Sequence, residues 1–487
     1  MILAIDVGSS SARASAYDDS GKTVADLFHR VSYEPAVGRD GTVEHDPHRL
    51  LDAVATCVDA VATRGDDVHA RRRGREIHAV GVTAFWHGLL GFDRDGRPAT
   101  PIYMWGDTRS ASDALLLRSA LDEEALHVRT GCHLHTSYWP AKLRWLARAR
   151  PAETGRVARW GSVGELLEQA LFGAAGTSVS MASGTGLLDQ ERAQWDREAL
   201  AAAGVDAERL FPLVDRADAR RGLRPEWASR WPALRAVPWF PAIGDGAASN
   251  VGSDCIDATR VALNVGTSAA LRVLADTPSP PRGLWRYRLD RRTSLIGGAL
   301  SEGGNAYAWC RKVLRLADDE ATEAALAALG ADEHGLTVLP FLAGERAPGW
   351  RGERRAALTG LTLDATPLTI LRAVLEAVAL RLARVYDLLR PRAAPDHVVV
   401  GSGGALVASA AWAQIIADAL GHPLIVSREE EATSRGAALL ALDALGIRPF
   451  NEPVPAPMGQ TFVPDPARHA RYVEALARQR ALEETLP

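Results

Sequence analysis

A glycine and three hydroxyl residues follow the first apolar segment of the sequence. The segment reads ILAIDV and continues as GSSSAR, so Asp6 lies near the end of a predicted strand and Gly8 begins a turn. Backbone N–H groups and hydroxyls in such a turn can surround phosphate oxygens, because glycine has no Cβ to obstruct the approach. Asp6 could hold a hydrated magnesium ion, and Arg13 adds positive charge. The same residue types also make ordinary β-turns, so this turn alone does not establish a phosphate site.

A second turn of the same type occurs about half a chain later. VALNVGTSAALRVLAD, from Val261, repeats the order of LAIDVGSSSARASAYD: strand, Asp or Asn, Val, Gly, hydroxyl pair and second strand. Two such turns, one from each of two domains, would hold a nucleoside triphosphate between them. Other phosphate motifs fit less well, since GxxxxGK[ST] is absent and GSGGAL, from Gly401, has Leu406 in place of the third glycine of GxGxxG.

Strands and helices alternate along the chain, which indicates an α/β fold. Strands are predicted in ILAIDVG, IHAVGVTAF, RVALNVGTS and HVVVGSGG. The longest helix is predicted after Thr366, where Pro367 suits the first turn and apolar residues recur at helical spacing. A chain of 487 residues exceeds a single hydrophobic core. We therefore expect two domains of related topology, 1–250 and 251–487, joined near the small residues of PAIGDGAASNVGSD.

Composition argues against nucleic-acid and membrane partners. The 56 Lys and Arg residues against 60 Asp and Glu give a net charge of -4. The run HARRRGRE, at 69–76, is locally basic but has no aromatic neighbours for base stacking, so we predict a solvated loop. The four cysteines form no CxxC pair and no apolar run is long enough to span a membrane. We expect a cytoplasmic protein whose partner is a small molecule.

Taken together, the motifs resemble the FGGY family of carbohydrate kinases from Ile2 to about Gly446. IDVGSSSAR and NVGTSAA are similar to its phosphate motifs. LPFLAGERAPGW, GSGGALVASAAWAQIIADALGHPL and EEATSRGAALLAL are similar to its C-terminal signatures, in the same order. The resemblance implies two ribonuclease H-like domains, of the actin and hexokinase type, around an interdomain cleft. It also implies ATP and Mg²⁺ as cofactors, with sugar bound by the N-terminal domain and ATP by the C-terminal domain.

The resemblance assigns roles to individual residues. Asp245, in PAIGDGAASN, matches the position of the catalytic base. A weak base suffices for phosphoryl transfer, because the attacking hydroxyl becomes acidic late in a loose transition state. Asp6 would hold magnesium through water. The residues that would contact the nucleotide are Gly8, Ser9, Ser10, Ser11 and Arg13 at the first turn, Gly266, Thr267 and Ser268 at the second, and Gly403, Gly404 and Ala405 beside the adenosine.

The sugar side is predicted in the N-terminal domain. GVTAFWHGLLGFDRDGRPATPIYMWGDTRS resembles the substrate segment of the family, with His87 in place of its histidine and WGDTR in place of its W-x-[ND]-x-R element. A polyol needs directional donors and acceptors against an apolar wall. His87, Trp105, Asp107 and Arg109 supply that mixture, and with Asp245 they are expected to bind the substrate.

One segment favours a sugar acid as the substrate. RTGCHLHTSYWPAKLRWL resembles the gluconate kinase branch, in which a histidine of this stretch faces the substrate, and His135 takes that place. Arg109 or His135 would then meet a carboxylate. The chain departs from that branch at Trp86 and Glu302, and WHG also resembles the MHG of xylulose kinases. We expect a gluconate-like substrate, with xylulose or another ketose or polyol as the alternative.

A different class of function is also compatible with this fold. Proteins with such domains include chaperone-like ATPases and filament subunits, and a sugar sensor without turnover is a third interpretation. Asp245 and the cluster from His87 to Arg109 favour catalysis. The assembly is left open, with a homodimer as one arrangement.

Overall fold

The fold is described from a computed structural model of residues 1–65, 76–277 and 279–486. The basic segment 69–75, predicted as a solvated loop, lies outside the described residues. The strands are β1 (Ile2–Val7), β2 (Ser11–Tyr17), β3 (Thr23–Ser32), β4 (Ala36–Val37), β5 (Val43–His45), β6 (Ala79–Ala84), β7 (Leu90–Phe92), β8 (Ile102–Tyr103), β9 (Arg159–Gly161), β10 (Thr177–Ser178), β11 (Leu188–Asp189), β12 (Gln194–Trp195), β13 (Leu213–Val214), β14 (Ile243–Gly244), β15 (Arg260–Val265), β16 (Ala269–Leu274), β17 (Trp285–Arg288), β18 (Ser294–Leu300), β19 (Thr337–Leu339), β20 (Ala357–Thr359), β21 (Val398–Ser402), β22 (Leu424–Ser427) and β23 (Met458–Phe462). The α-helices are α1 (Pro47–Gly65), α2 (Ala111–Ala120), α3 (Glu123–Thr130), α4 (Trp139–Ala149), α5 (Pro151–Thr154), α6 (Val163–Phe172), α7 (Val179–Ser183), α8 (Arg197–Ala203), α9 (Pro225–Arg230), α10 (Asp245–Gly252), α11 (Gly304–Val313), α12 (Asp319–Ala328), α13 (Pro367–Leu389), α14 (Gly404–Ala408), α15 (Ala410–Leu420), α16 (Ala432–Ala444) and α17 (Pro466–Thr485).

Two sheets of the same design form the centres of the molecule. The N-terminal region comprises the chain from β1 to the end of α10. Its sheet has the order β14-β6-β1-β2-β3. Strand β1 pairs antiparallel with β2 and parallel with β6, and β6 pairs parallel with β14. The four segments predicted as strands from the sequence are β1, β6, β15 and β21, which confirms those predictions.

The sheet of the C-terminal region, from β15 onward, repeats this arrangement. Its order is β17-β18-β16-β15-β21-β22-β23. Strand β15 pairs antiparallel with β16 and parallel with β21, as β1 does with β2 and β6. The central five strands therefore match the N-terminal sheet, with one extra strand at each edge. The predicted α/β fold, built from two units of related topology, is confirmed.

The predicted long helix is α13, and its N-terminus is capped as the sequence indicates. The Thr366 side chain accepts a hydrogen bond from the Thr369 N–H, and Pro367 occupies the first turn. The apolar positions from Leu371 to Leu389 are buried against the C-terminal sheet. Among the described residues, no helix has both the length and the apolarity needed to cross a membrane.

Helices α10 and α16 join the two regions by direct backbone contact. A Cβ built on Gly252 of α10 would lie 1.7 Å from the carbonyl oxygen of Ala432, and one on Gly436 of α16 would lie 1.8 Å from that of Ala248. Helix α16 also packs against β1 and β6. These glycines let a helix of the C-terminal region lie directly on the N-terminal sheet, and they fix the position of α10.

A side chain at this crossing should separate the two regions. We expect Gly436→Ala to cost about 1–3 kcal/mol of unfolding free energy, because backbone atoms cannot yield as a side chain can. Thermal unfolding followed by calorimetry measures the loss. Gly155→Ala is the control, since Gly155 is exposed and has an ordinary helical conformation, and it should change stability little. An unchanged midpoint for the Gly436 variant would contradict the proposed contact.

Candidate active site in the interdomain cleft

A cavity of about 90 Å³ lies where the two regions face each other. Its walls are contributed by Phe85, Trp86, His87, Trp105 and Asp245 from the N-terminal region and by Ser268, Ala270, Arg272, Trp285, Tyr287, Ala299 and Arg346 from the C-terminal region. Four of the predicted site residues are in this set: His87, Trp105, Asp245 and Ser268. Residues from both regions therefore meet at one cavity.

Asp245 is the first residue of α10 and follows β14 directly. The backbone N–H of Gly246 donates to its Oδ1 at 2.8 Å. Burial raises the pKa of Asp245 above its ordinary value, while the positive charge of Arg272 on β16 opposes that rise. A carboxylate that is partly desolvated is a stronger proton acceptor than one in water, so this environment suits a general base.

Asp6 lies at the end of β1, and its carboxyl group is buried. Its Oδ2 accepts a hydrogen bond from Arg13 at 2.9 Å, and Arg13 is also paired with Glu431 at 3.5 Å. Burial raises the pKa of Asp6 to about 7, and the negative charge of Asp245 adds to the rise. The second oxygen, Oδ1, is buried without a hydrogen-bond partner among the described residues. An available carboxylate oxygen of this kind fits a hydrated magnesium ion.

The first turn, between β1 and β2, is held by backbone contacts. The N–H of Gly8 donates to the carbonyl of Ser11 at 2.9 Å, and the Tyr33 hydroxyl donates to the carbonyl of Gly8 at 2.7 Å. Ser9 and Ser10 lie in the turn and are partly or fully exposed, whereas Ser11 belongs to β2 and its hydroxyl is buried. The hydroxyls of Ser9 and Ser10 are therefore accessible to a ligand, whereas the hydroxyl of Ser11 is buried.

The second turn, between β15 and β16, reaches the cavity directly. The N–H of Gly266 donates to the carbonyl of Ser268 at 3.0 Å, and the N–H of Gly304 donates to that of Gly266 at 2.7 Å. Thr267 is exposed at the tip of the turn. Because Ser268 lines the same cavity as Asp245, this turn can present a phosphate group to that carboxylate.

Gly403, Gly404 and Ala405 follow β21 and lie beside the second turn. Gly403 has a φ of +98°, and a Cβ on it would lie 2.5 Å from the carbonyl oxygen of Val265, so glycine is required there. A Cβ on Gly404 would meet nothing within 4 Å. The result is an open backbone surface next to the second turn, which suits a flat nucleoside.

His87 presents a hydrogen-bond acceptor to the cavity. Its Nδ1 lies 2.6 Å from the carbonyl oxygen of Gly184, and since a carbonyl only accepts, Nδ1 carries the proton. Burial and the charge of Arg346 lower the pKa of His87 well below its ordinary value. The neutral ring therefore leaves Nε2 free to accept a hydrogen bond from a substrate hydroxyl.

Asp107 and Arg109 do not line the cavity. The Asp107 carboxylate binds the Arg109 guanidinium and accepts the N–H of Val43 at 3.1 Å. Arg109 also pairs with Glu44, and its Cζ lies 4.4 Å from the ring centroid of Trp145. These bonds hold the loop that carries Trp105. The predicted contact of Asp107 and Arg109 with substrate has no support from this geometry.

His135 is likewise occupied by protein groups. Its Nε2 donates to the carbonyl of Glu345 at 3.1 Å, and its Nδ1 accepts the N–H of Ser137 at 3.1 Å. Burial lowers its pKa well below the ordinary value. The neutral ring thus connects the segment that precedes α4 to the loop at Glu345. This geometry gives no support to a contact between His135 and a substrate carboxylate.

Two arginines that sequence reasoning did not single out reach the cavity instead. Arg272 lies on β16, in the segment SAALRVL, and Arg346 lies in LAGERAPGW. The Cζ of Arg346 lies 5.1 Å from the ring centroid of Trp105. LAGERAPGW belongs to a segment that resembles the family's C-terminal signatures, and Arg272 follows the second turn, but nothing in the local spacing indicates which side chain faces the cleft.

Aromatic rings form the remaining wall. Trp285 and Tyr287 are stacked with centroids 4.0 Å apart, and Trp86 contacts Tyr287 edge-on at 4.9 Å. A Cβ on Gly244 would lie 1.9 Å from the Trp86 ring, so the indole packs on the backbone that leads into Asp245. Trp86 therefore narrows the cavity. Glu302, the other departure from the gluconate branch, is buried and does not line the cavity, and its Oε1 accepts the N–H of Ala343 at 3.0 Å.

Comparison with known proteins shows the family. The model of the FGGY family of carbohydrate kinases, N-terminal domain, matches residues 1–252, and that of its C-terminal domain matches residues 261–445. The chain therefore belongs to the FGGY family of carbohydrate kinases. It is a sugar kinase, a phosphotransferase that uses ATP.

Relatives across the family act on different acceptors. Gluconokinase of Bacillus subtilis (strain 168) is 26% identical over 499 residues, covering 99% of this chain and 94% of the relative. Glycerol kinase of Rhodospirillum centenum is 31% identical over 463 residues, covering 92% and 90%. Two Lactobacillus acidophilus structures, a gluconate kinase and a ligand-bound xylulose kinase, each superpose with a TM-score of 0.89 at 26% and 25% identity, covering 100% of this chain and 98% of theirs.

The raised pKa of Asp6 should make the ligand-free protein less stable as the pH rises. With a pKa of about 7 in the folded state and 3.8 ordinarily, Asp6 keeps a proton between these values that the unfolded chain has released. Stability is therefore lost as pH rises through this window. Asp6→Asn removes the effect, so the melting temperature of the variant, relative to that of the wild type, should increase as the pH is raised from 5 to 8.

Asp465→Asn is the matched control for this measurement. Asp465 caps α17, and the N–H of Arg468 holds the pKa of Asp465 below its ordinary value. Its titration therefore lies below pH 5, and the difference from wild type should stay constant from pH 5 to 8. A constant difference for Asp6→Asn as well would show that the carboxyl group is not perturbed.

Proposed function

We propose that this kinase transfers the γ-phosphate of ATP to a hydroxyl of a sugar acid of the gluconate type, with Asp245 as the catalytic base. The observation that carries the substrate class is the charge of the cavity wall. Among its lining residues, Arg272 and Arg346 are cationic, Asp245 is the carboxylate, and His87 is neutral. The lining residues therefore carry one more positive than negative charge, and a substrate carboxylate would balance it.

The two arginines differ in their surroundings. Arg272 is the charge that acts most strongly on Asp245, which suits it to neutralise charge near the reacting oxygen. Arg346 lies against the rings of Trp105 and Trp350, at 5.1 and 5.9 Å. Its Nε is buried and has no hydrogen-bond partner among the described residues. A guanidinium with unused donors matches the two oxygens of a carboxylate, so we assign the substrate carboxylate to Arg346.

Transfer requires the acceptor hydroxyl to lie between Asp245 and the second turn. Nε2 of His87 accepts a hydrogen bond from a neighbouring substrate hydroxyl, and the rings of Trp285 and Tyr287 exclude water from the sugar face. Asp245 takes the proton of the attacking hydroxyl as its oxygen bonds to the γ-phosphorus of ATP and the bond from that phosphorus to the β,γ-bridging oxygen breaks, which releases ADP. Ser268 and the backbone of its turn hold the phosphate in line.

The nucleotide is assigned to the remaining predicted residues. Gly403, Gly404 and Ala405 provide the surface for adenosine. Ser9 and Ser10, with Arg13 nearby, face the phosphates from the N-terminal side. Asp6, whose Oδ1 has no hydrogen-bond partner among the described residues, would hold magnesium, and that ion would neutralise phosphate charge.

A ketose or a simple polyol is the alternative acceptor. The sequence WHG at Trp86 resembles the corresponding segment of xylulose kinases. Such a neutral substrate would bring no negative charge to the buried guanidinium of Arg346, whose Nε has no hydrogen-bond partner among the described residues, so a favourable contact would be lost. The charge of the wall therefore favours the sugar acid.

Loss of the proposed base should abolish transfer. We expect Asp245→Asn to lower kcat at least about 100-fold, because the amide cannot accept the proton of the hydroxyl. Titration calorimetry should show ATP binding within about twofold of the wild type, since Asp245 faces the acceptor rather than the nucleotide. A variant that turns over at nearly the wild-type rate would refute the assignment of the base.

The charge of Arg346 should select the substrate. In a coupled assay with gluconate, xylulose and glycerol, we expect gluconate to give the highest kcat/KM. Arg346→Gln should raise the KM for gluconate about 100-fold, because a desolvated ion pair is lost. Arg346→Lys keeps the charge and loses the planar guanidinium, so its KM for gluconate should lie between that of the wild type and that of Arg346→Gln. Equal effects of Arg346→Gln on all three substrates, or a preference for xylulose, would overturn the sugar-acid assignment.

A further inference from the structure

The C-terminal helix α17 carries a buried carboxylate that the reaction does not use. The helix spans Pro466–Thr485 and lies beyond the C-terminal family match, which ends at residue 445. Glu483 is in its last turn, and its side chain is only 10% exposed. A charged group at this depth requires partners, and those partners lead to the cavity wall.

Three arginines surround Glu483. Its Oε1 binds Nη1 of Arg354 at 2.5 Å, and its Oε2 binds Nη1 of Arg381 at 2.6 Å. Oε2 also pairs with Arg384 of α13, and the Glu483 carbonyl accepts Nη2 of Arg354 at 3.2 Å. Glu483 therefore connects the end of α17 to α13 and to the segment at Arg354.

Two of these arginines, Arg354 and Arg381, also bind Glu345, the neighbour of Arg346 in sequence. Nη1 of Arg354 lies 3.0 Å from Oε2 of Glu345, and Arg381 pairs with its Oε1. The Glu345 side chain is 1% exposed. A Cβ on Gly349 would lie 2.3 Å from Oε1, so the loop closes tightly around this carboxylate. The position of Glu345 is thus set by Arg354 and Arg381.

Arg346 projects from this anchored segment to the cavity. The carbonyl of Glu345 accepts a hydrogen bond from His135 at 3.1 Å, and the carbonyl of Arg346 accepts the N–H of Trp350 at 2.7 Å. With the backbone held on both sides, the direction of the Arg346 side chain follows from the position of Glu345.

We propose that Glu483 is a positioning residue for Arg346, so that the C-terminal helix sets the affinity of the site for its anionic substrate. The inference rests on the proposed function, in which Arg346 meets the substrate carboxylate. Without the charge of Glu483, Glu345 would be the only carboxylate among the described residues still ion-paired with Arg354 and Arg381. Arg354 and Arg381 would then redistribute around Glu345 and displace the loop that aims Arg346.

A second tether on the same helix provides a matched control. Arg478 of α17 pairs with Asp332, a residue outside the Glu345 network. Arg478→Gln removes one ion pair that docks α17 but leaves Glu345, Arg354 and Arg381 unchanged. If weaker docking of α17 alone changes the kinetic constants, the change should appear in both Arg478→Gln and Glu483→Gln. A change that comes from displacement of Arg346 should appear only in Glu483→Gln.

The test compares Glu483→Gln, Arg478→Gln, Arg346→Gln and the double variant Glu483→Gln/Arg346→Gln, with gluconate as the probe. We expect Glu483→Gln to raise the KM for gluconate about tenfold, with kcat and the KM for ATP within about twofold of the wild type. Arg478→Gln should leave all three constants unchanged. In the double variant, loss of Glu483 should add nothing to the effect of Arg346→Gln, because both changes act on one contact.

The outcomes separate this inference from the proposed function. If Arg346→Gln raises the KM for gluconate and Glu483→Gln does not, or if their effects multiply in the double variant, the positioning role is wrong and the proposed function stands. If Arg346→Gln leaves that KM unchanged, or the wild type does not bind gluconate, the proposed function itself fails. Should Glu483→Gln not fold, Glu483→Asp decides by the same comparison, with an expected increase of about threefold.

Discussion

Two partly buried groups of opposite charge, Asp245 and Arg272, line the same cavity, and each comes from a different region of the chain. Burial favours the protonated form of the carboxyl group, and the guanidinium opposes that preference. The pair exists only while α10 and β16 face each other. The geometry of the two regions therefore determines the chemistry of the site.

That geometry depends on backbone contact between α10 and α16. Gly252 and Gly436 allow the two helices to approach until carbonyl groups of one lie where a side chain of the other would be. Because α16 also packs on β1 and β6, the ends of β1 and β14, which carry Asp6 and Asp245, are held against the second region. Two similar sheets thus present their turns to one cavity.

Arginines in this protein divide according to their partners. Arg109 and Arg381 are bonded to carboxylates of the chain and stabilise loops. Arg272 and Arg346 line the cavity, where Nη1 of the former and Nε of the latter have no hydrogen-bond partner among the described residues. The arginines bonded to carboxylates hold the site in place, and the arginines that line the cavity remain available to a ligand. Residue type alone does not distinguish the two, since every guanidinium offers the same donors.

The sequence by itself determined the strands β1, β6, β15 and β21, the two glycine turns and the capped helix α13, whereas it did not predict that Asp245 begins the helix α10. These follow from local patterns, because strand alternation, turn residues and caps act over a few neighbouring positions. Only the tertiary structure decided that Asp107, Arg109 and His135 are bonded to protein groups, while Arg272 and Arg346 reach the cavity. Whether a polar side chain is free depends on partners far away in sequence: His135 donates to Glu345, 210 residues further on.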